Sequence, residues 1–242
     1  MYTIAIIAVI CAYIVKGMCG FANTVVFSTI MSFTTNNINI SPIDLIVGYP
    51  SNIYIAWKER KSISAKVFVP LAVMVVIGSI PGILFLSKGN VTLIKTIFGF
   101  AVVLIGIEML LREMQKEKKK TSKFLLVIIG IITGLLCGLF GIGAFLVAYT
   151  SRTTDNKAQF RGNTCIVFLI EGTVRIVLYS LTGIINIIVL KRAVMLLPFM
   201  VIGLAIGTFL SNKSSEKIVK KAIIIVLILS GISIILNNVR LF

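Results

Sequence analysis

The first apolar segment of the chain is interrupted by Lys16-Gly17-Met18-Cys19-Gly20-Phe21-Ala22-Asn23. A similar interruption, Gly138-Leu139-Phe140-Gly141-Ile142-Gly143-Ala144, lies over residues 17–23 at an offset of 121. Each one separates two short apolar segments, at about 2–16 and 21–35 in the first half of the chain and at about 124–137 and 142–150 in the second. Two glycine breaks at equivalent places indicate an internal repeat built on broken helices.

Three longer apolar segments follow each short pair. They lie at about 43–57, 65–87 and 91–111 in the first half, and at about 163–182, 187–210 and 217–239 in the second. Gly78 and Gly82 lie over Gly203 and Gly207 at an offset of 125. The short pair returns to its starting side whether it spans the membrane or re-enters it. Three further crossings make the number per half odd, so the halves are expected to be inverted.

We therefore predict an all-α integral membrane protein with two inverted repeats and about 8–10 membrane segments. Each repeat contains a short broken-helix pair, either spanning or re-entrant, and three longer transmembrane helices. The N-terminal repeat covers residues 1–111, a basic linker covers 112–123, and the C-terminal repeat covers 124–242.

The composition supports this class. Of 242 residues, 58% are hydrophobic and 13% are charged, whereas soluble domains carry roughly 25% charged residues. This balance excludes a soluble globular enzyme, a disordered chain and a nucleic-acid-binding domain, despite a net charge of +16. Apolar segments recur along the whole chain and leave no room for a separate soluble domain.

The basic residues predict an orientation. Under the inverted-repeat scheme, 17 of the 24 Lys and Arg residues, Arg161 among them, lie in loops on one side, and five lie on the other. The positive-inside rule places the richer side and the linker in the cytoplasm of a multi-pass plasma-membrane protein. Lys16 and Arg175 remain as membrane-embedded cations. We expect Asp44 and Glu108 to lie at the membrane interface.

The glycine breaks offer a place for an anion. Broken helices inside inverted repeats are typical of secondary transporters, and the start of a half-helix presents free N–H groups and the positive end of a dipole. Close helix packing is the alternative role for small residues. The candidate substrate-binding residues at the breaks and on the neighbouring segments are Lys16, Gly20, Phe21, Asn23, Thr24, Asn52, Gly141, Gly143, Asn163, Thr164 and Arg175.

Glu171 and Arg175 lie four residues apart on one helical face, near the middle of segment 163–182. Charges at that depth indicate function by default. Arg175 is a candidate contact for the anion, and Glu171 is the candidate for carrying a coupling proton. The alternative is an ion pair that only fixes helix packing. Lys16 is either a cationic ligand or a side chain that reaches the membrane surface.

Other chemistry is not indicated. The sequence lacks a GxxxxGK[ST] loop, which argues against ATP-driven transport by this chain alone. It has no His, no CxxC pair and no spaced nucleophile and base, so we expect neither an enzyme nor a cofactor or metal site. The expected partners are a small anionic substrate, a coupling ion (H+ or Na+), the lipid bilayer and no nucleic acid. Whether the chain forms a homo-oligomer is left open.

These features together resemble the sulfite exporter TauE/SafE family of membrane permeases. The similar elements are the glycine turns Gly20-Phe21 and Gly141-Ile142-Gly143, the basic turn Lys58-Glu59-Arg60-Lys61-Ser62-Ile63, Val69-Pro70 followed by Gly78 and Pro81-Gly82, Pro198 with Gly203 and Gly207, and the segment 163–184. Ala22, Asn23, Thr24 and Ala144 stand where the family has glycines. The resemblance implies transport of small anions, often sulfur oxyanions or sulfonates, coupled to an ion gradient.

Two other functions stay open at this level. A membrane scaffold or assembly protein without transport predicts that Glu171 and Arg175 are tightly paired in a packed interface. A transporter of another small solute, either a cation or a neutral molecule, predicts carboxylates or carbonyls at the cavity centre, and not Arg175 or helix N-termini.

Overall fold

The computed structural model describes residues 2–32, 37–88, 134–139 and 156–211, together with residues 96–97, 99–100, 103–104, 107, 110–111, 143, 146, 150, 154, 228 and 232. The regular structure in this part of the chain is all helical, which confirms the predicted all-α class. The predicted segments at 91–111, 142–150 and 217–239 fall largely outside the described residues, and the linker at 112–123 falls wholly outside them.

Six helices and one 3-10 turn lie wholly within the described residues. They are α1 (Tyr2–Cys19), α2 (Asn23–Ser32), α3 (Asn37–Lys58), the 3-10 turn Arg60–Ser62, α4 (Ala65–Lys88), α5 (Lys157–Leu181) and α6 (Ile187–Ser211). Residues 134–139 form a further helical stretch. In the described part of the chain, three helices are long and apolar enough to cross a membrane, and they correspond to α4, α5 and α6.

Three helix ends differ from the prediction. The first break does not begin at Lys16, because α1 continues through Gly17 to Cys19 and only residues 20–22 are non-helical. Helix α3 begins six residues earlier than the apolar segment, at Asn37. Helix α5 begins at Lys157, also six residues early. Hydropathy marks where a helix becomes apolar, whereas caps and hydrogen bonds mark where it begins.

Glycines let α1 and α6 approach at backbone distance. A Cβ atom at Gly17 would lie 2.6 Å from the backbone nitrogen of Thr208. Gly203 faces the carbonyl of Ile10, and a side chain at Gly207 would collide with the carbonyl of Ile14. Gly17 therefore serves helix packing and does not break α1.

The same kind of contact joins α4 to the 134–139 stretch. A side chain at Gly138 would collide with the carbonyl of Ser79, and a Cβ atom at Gly82 would lie 2.5 Å from the carbonyl oxygen of Leu135. Gly138 lies over Gly17 in the sequence repeat, and Gly82 lies over Gly207. Helix α1 of the first half thus packs on α6 of the second half, and the 134–139 stretch of the second half packs on α4 of the first half.

Helix α5 lies between two apolar clusters. One cluster is built from α1, α2, α3 and α6 and includes Cys165 of α5, and the other joins α4 and residues 137 and 146 to Val167 of α5. Large apolar side chains point outward from α4 and α6, such as Ile77 and Phe209. This arrangement leaves the outer faces to lipid and puts the charged residues of α5 at the centre.

Candidate functional site

The first break is a tight turn between two helices. Gly20 and Ala22 both have positive φ, +87° and +72°, and the Gly20 N–H donates to the carbonyl of Lys16 at 2.6 Å. Helix α2 then begins at Asn23. The N–H groups of its first turn have no acceptor inside the helix, and they form the positive end of its dipole. A helix N-terminus is thereby placed beside α1 and α3.

The Lys16 ammonium is buried next to this turn. Its side chain is 2% exposed, and Nζ donates a 2.7 Å hydrogen bond to Oδ1 of Asn52 on α3. The ammonium also lies over the ring of Tyr13, 5.7 Å from its centroid. Of the two roles predicted for Lys16, the structure excludes a side chain that reaches the surface, because the cation is enclosed between α1 and α3.

Asp44 of α3 lies beside the N-terminus of α2 and is buried inside the protein; its place at the membrane interface stays a prediction. The residue is 3% exposed. Its Oδ2 accepts a 2.6 Å hydrogen bond from the Thr24 hydroxyl, and its Oδ1 lies 3.4 Å from Nδ2 of Asn23. Because α3 begins at Asn37 and not near residue 43, Asp44 is about two turns inside the helix. Glu108 lies outside the described residues.

Arg161 is a third buried cation, and its assignment to a loop is wrong. It belongs to the second turn of α5 and is 9% exposed. Its side chain lies against the first break, where a Cβ atom at Gly20 would be 2.7 Å from Arg161 Cγ. Its Nε has no hydrogen-bond partner in the part of the chain that the structure describes. Phe21 and Phe160 pack edge to face beside it, at 5.8 Å.

The early start of α5 explains why hydropathy misplaced Arg161. Asn156 caps the helix by accepting a 2.9 Å hydrogen bond from the Gln159 N–H. The first turn is polar, so the apolar window begins only after Arg161. The Asn156 cap is the one sequence signal that would have found this boundary.

Glu171 and Arg175 form a buried pair farther along α5. Glu171 Oε1 lies 3.6 Å from Arg175 Nε, and Arg175 Nη1 donates a 2.5 Å hydrogen bond to the carbonyl of Cys137. The Tyr179 hydroxyl donates to the carbonyl of Gly138 at 3.1 Å. These carbonyls belong to the helical stretch that ends before Gly143, which is non-helical. Arg175 therefore supports the carbonyl end of the second break.

The other predicted residues have different surroundings. Asn163 accepts the Ser64 N–H at 2.9 Å and donates to the carbonyl of Gln159 at 2.7 Å, so it fixes α5 to the start of α4. The Thr164 hydroxyl is buried and has no partner among the described residues. The place of a side chain at Gly143 is filled by the ring of Phe168. Gly141 lies outside the described residues.

The charged side chains form one electrostatic set. Lys16 lies close enough to interact with both Asp44 and Arg161, and Asp44 also interacts with Arg175. Among the described buried residues, three cations stand against two carboxylates, which leaves one positive charge in excess. Isolated charge is costly at membrane depth. A small anion beside the first break would neutralise this excess.

A family model described as sulfite exporter TauE/SafE matches residues 5–234. The chain belongs to the sulfite exporter TauE/SafE family. This membership confirms the resemblance seen in the sequence, and it makes the chain a membrane transporter by family. The TauE/SafE family is one of transporters, in line with the expectation that the chain is not an enzyme. Neither a curated protein nor a solved structure gives a significant match to it.

Proposed function

We propose that this TauE/SafE chain is a secondary-active permease of the plasma membrane. Its substrate is a small sulfur oxyanion or organosulfonate, such as sulfite, thiosulfate or a sulfoacetate-like anion, and it moves by alternating access. The observation that carries the proposal is the excess of buried cations over buried carboxylates beside a helix N-terminus.

The substrate binds at the first break in this proposal. The Lys16 ammonium and the Arg161 guanidinium approach the turn from α1 and α5, and both interact with each other and with the Cys165 thiol. Two like charges held close together without a nearby acceptor for Arg161 Nε favour a bound anion. Asn23 and Thr24 supply neutral donors at the start of α2.

The second break has a supporting role. The Arg175 guanidinium is engaged by the Cys137 carbonyl and by Glu171, so it orients the broken helix and contributes positive charge at longer range. Substrate contact at Arg175 would require that the pair with Glu171 open during transport. Coupling through Glu171 would require the same movement.

The exchange of glycine contacts between the halves supports an inverted repeat of residues 1–111 and 124–242, joined by the linker 112–123. Equivalent glycines perform equivalent packing, α1 on α6 and the 134–139 stretch on α4. Exposed basic residues lie in and beside the 3-10 turn, namely Lys58, Arg60, Lys61 and Lys66. Their exposure fits a cytoplasmic loop under the positive-inside rule.

Anion flux in proteoliposomes tests the proposal. Purified protein is reconstituted, and uptake of labelled sulfite, thiosulfate, methanesulfonate and acetate is followed under imposed pH and Na+ gradients. We expect saturable uptake of at least one sulfur anion that exceeds uptake into protein-free liposomes and is driven by a gradient. Equal uptake with and without protein, for every anion, would contradict it.

One observation favours a scaffold as the second candidate. The Glu171–Arg175 pair lies in a packed interface, as a purely structural pair would. A scaffold role does not explain why the buried Arg161 Nε lacks a hydrogen-bond partner, whereas an anion bound beside it does.

A further inference from the structure

We propose that the Asp44 carboxylate occupies the substrate position at the N-terminus of α2 when no substrate is bound. When the substrate binds, Asp44 takes up a proton and leaves that position to the substrate. The inference rests on the proposed function and specifies its coupling: one proton enters the buried cluster with each monovalent anion. Glu171, the carboxylate that the sequence favours for this role, keeps its place beside Arg175.

The first argument is the position of the carboxylate. Asp44 reaches from α3 to the first turn of α2, where Thr24 donates at 2.6 Å and Asn23 Nδ2 lies at 3.4 Å. A substrate oxyanion at this helix end would use the same two donors. The carboxylate and the substrate therefore compete, and a protonated Asp44 is the weaker acceptor, so that it loses these donors to a charged oxyanion.

The second argument is the unused donors around the same spot. The Tyr13 hydroxyl is fully buried and makes no hydrogen bond of good geometry in the described part of the chain, although Asn23 and Ser51 lie close enough to interact with it. The hydroxyl lies beside Gly48. A Cβ atom at Gly48 would be 3.2 Å from the Tyr13 hydroxyl and 3.5 Å from Asn23 Nδ2. Arg161 Nε, at the turn that leads into α2, is equally unpaired. Buried donors without acceptors are costly, and a bound anion relieves that cost.

The third argument is charge balance. With Asp44 ionised and no substrate, the described buried residues carry one positive charge in excess. Protonation of Asp44 alone would raise the excess to two, which is unfavourable at membrane depth. A monovalent anion that binds with the proton restores the original balance. The proton therefore enters more readily with the anion than without it, and the anion in turn gains the donors for which the ionised Asp44 competes.

Asp44 is surrounded by groups on three helices. Lys16 and Tyr13 face it from α1, Thr24 and Asn23 face it from α2, and Arg175 faces it from α5. Helix α2 contains no charged residue. Helix α6 also packs on α3, but its charged residues Lys191 and Arg192 are not among the groups that interact with Asp44.

Binding of methanesulfonate tests the inference, because this anion keeps one negative charge over the whole accessible pH range. Its dissociation constant is measured on purified full-length protein from pH 5 to pH 9. If one proton binds with each anion, the dissociation constant rises tenfold per pH unit on the alkaline side. Proton uptake, followed with an indicator dye in weak buffer, should approach one per anion there.

The variant Asp44→Asn tests the role of this carboxylate separately from that of the other carboxylates. The amide is neutral and of the same shape, so we expect methanesulfonate binding without the alkaline tenfold dependence and without proton uptake. Glu171→Gln should retain both if it folds. Glu113→Gln, a carboxylate of the linker 112–123 that is distant in sequence from the buried set, is the matched control and should behave like the wild-type protein. Thermal unfolding of each variant in detergent checks that it is folded.

The outcomes are distinct. A flat pH dependence in the wild-type protein overturns the inference without any variant and leaves the proposed permease standing. Loss of the dependence in Glu171→Gln with retention in Asp44→Asn moves the proton to Glu171 and also overturns it. If neither methanesulfonate nor thiosulfate binds or is transported at any pH, the proposed function fails, and the inference fails with it.

Discussion

Arg161 and Arg175 lie on the same helix, and their variants should fail in different ways. They are 14 residues apart on α5, which places their Cα atoms about 21 Å apart at 1.5 Å per residue. Both are buried. Neither Nε atom has a hydrogen-bond partner among the described residues. Arg175, however, donates from Nη1 to the Cys137 carbonyl and forms an ion pair with Glu171.

Arg161→Met should weaken anion binding and spare the fold. A hydrogen bond to a charged group contributes about 1.5–3 kcal/mol, which corresponds to a loss of roughly 10- to 150-fold in affinity. Removal of the guanidinium also relieves its repulsion with Lys16. Methionine keeps the apolar stem against Gly20, so the midpoint of thermal unfolding should change little.

Arg175→Met should destabilise the protein. It leaves the Glu171 carboxylate buried without its cation and the Cys137 carbonyl without its donor. Removal of one member of a buried pair costs about 3–5 kcal/mol. The double variant Glu171→Gln/Arg175→Met should recover part of that loss, because no uncompensated charge remains.

Methanesulfonate binding and thermal unfolding in detergent measure both effects. Arg161→Lys is the matched control, since it keeps the charge but loses the planar fork, and it should bind with intermediate affinity. The reasoning is refuted if Arg161→Met binds as the wild-type protein does. It is refuted equally if Arg161→Met unfolds as early as Arg175→Met.

Three further variants follow from the backbone geometry. Gly207→Ala should lower stability by about 1–3 kcal/mol, because the new methyl group collides with the carbonyl of Ile14. Ala22→Gly should raise stability by about 1 kcal/mol, because it relieves a left-handed φ of +72°. Tyr179→Phe should cost about 1–3 kcal/mol, because the carbonyl of Gly138 loses a buried donor. The midpoint of thermal unfolding measures all three.

Each of these has its own control. Ala205 on α6 is exposed, so Ala205→Val should leave the midpoint of thermal unfolding unchanged. If Gly207→Ala also leaves the midpoint unchanged, the packing argument is contradicted. Gly20→Ala should destabilise where Ala22→Gly stabilises, and a loss in both would contradict the assignment of strain to φ. An unchanged midpoint in Tyr179→Phe would show that the hydroxyl has no net role.

Composition and hydropathy were sufficient to predict the helices and a break near Gly20, because both depend on local sequence. They were not sufficient for helix ends. Asn37 and Lys157 begin helices in polar sequence, and this shift carries Asp44 and Arg161 into the protein interior. A six-residue difference in where a helix begins therefore changes which charges are buried.

The site was predictable in part, for a related reason. Lys16, Asn23 and Thr24 were chosen for their nearness to the first break and Asn52 as a polar residue of a neighbouring segment, and the structure brings all four to one region. The acceptor that joins two of them, Asp44, comes from packing of α3 against α2. Sequence spacing alone contains no information on such a contact between helices.

The exchange of helices between the halves has a consequence for biosynthesis. Helix α1 is synthesised well before its glycine-lined partner α6, which belongs to the second half. Until then the Lys16 ammonium and the α2 N-terminus lack the α5 and α6 surfaces that enclose them. Final assembly must follow synthesis of both halves, because contacts distant in sequence form late. A chain severed in the linker should therefore yield fragments that become stable only when they are produced together.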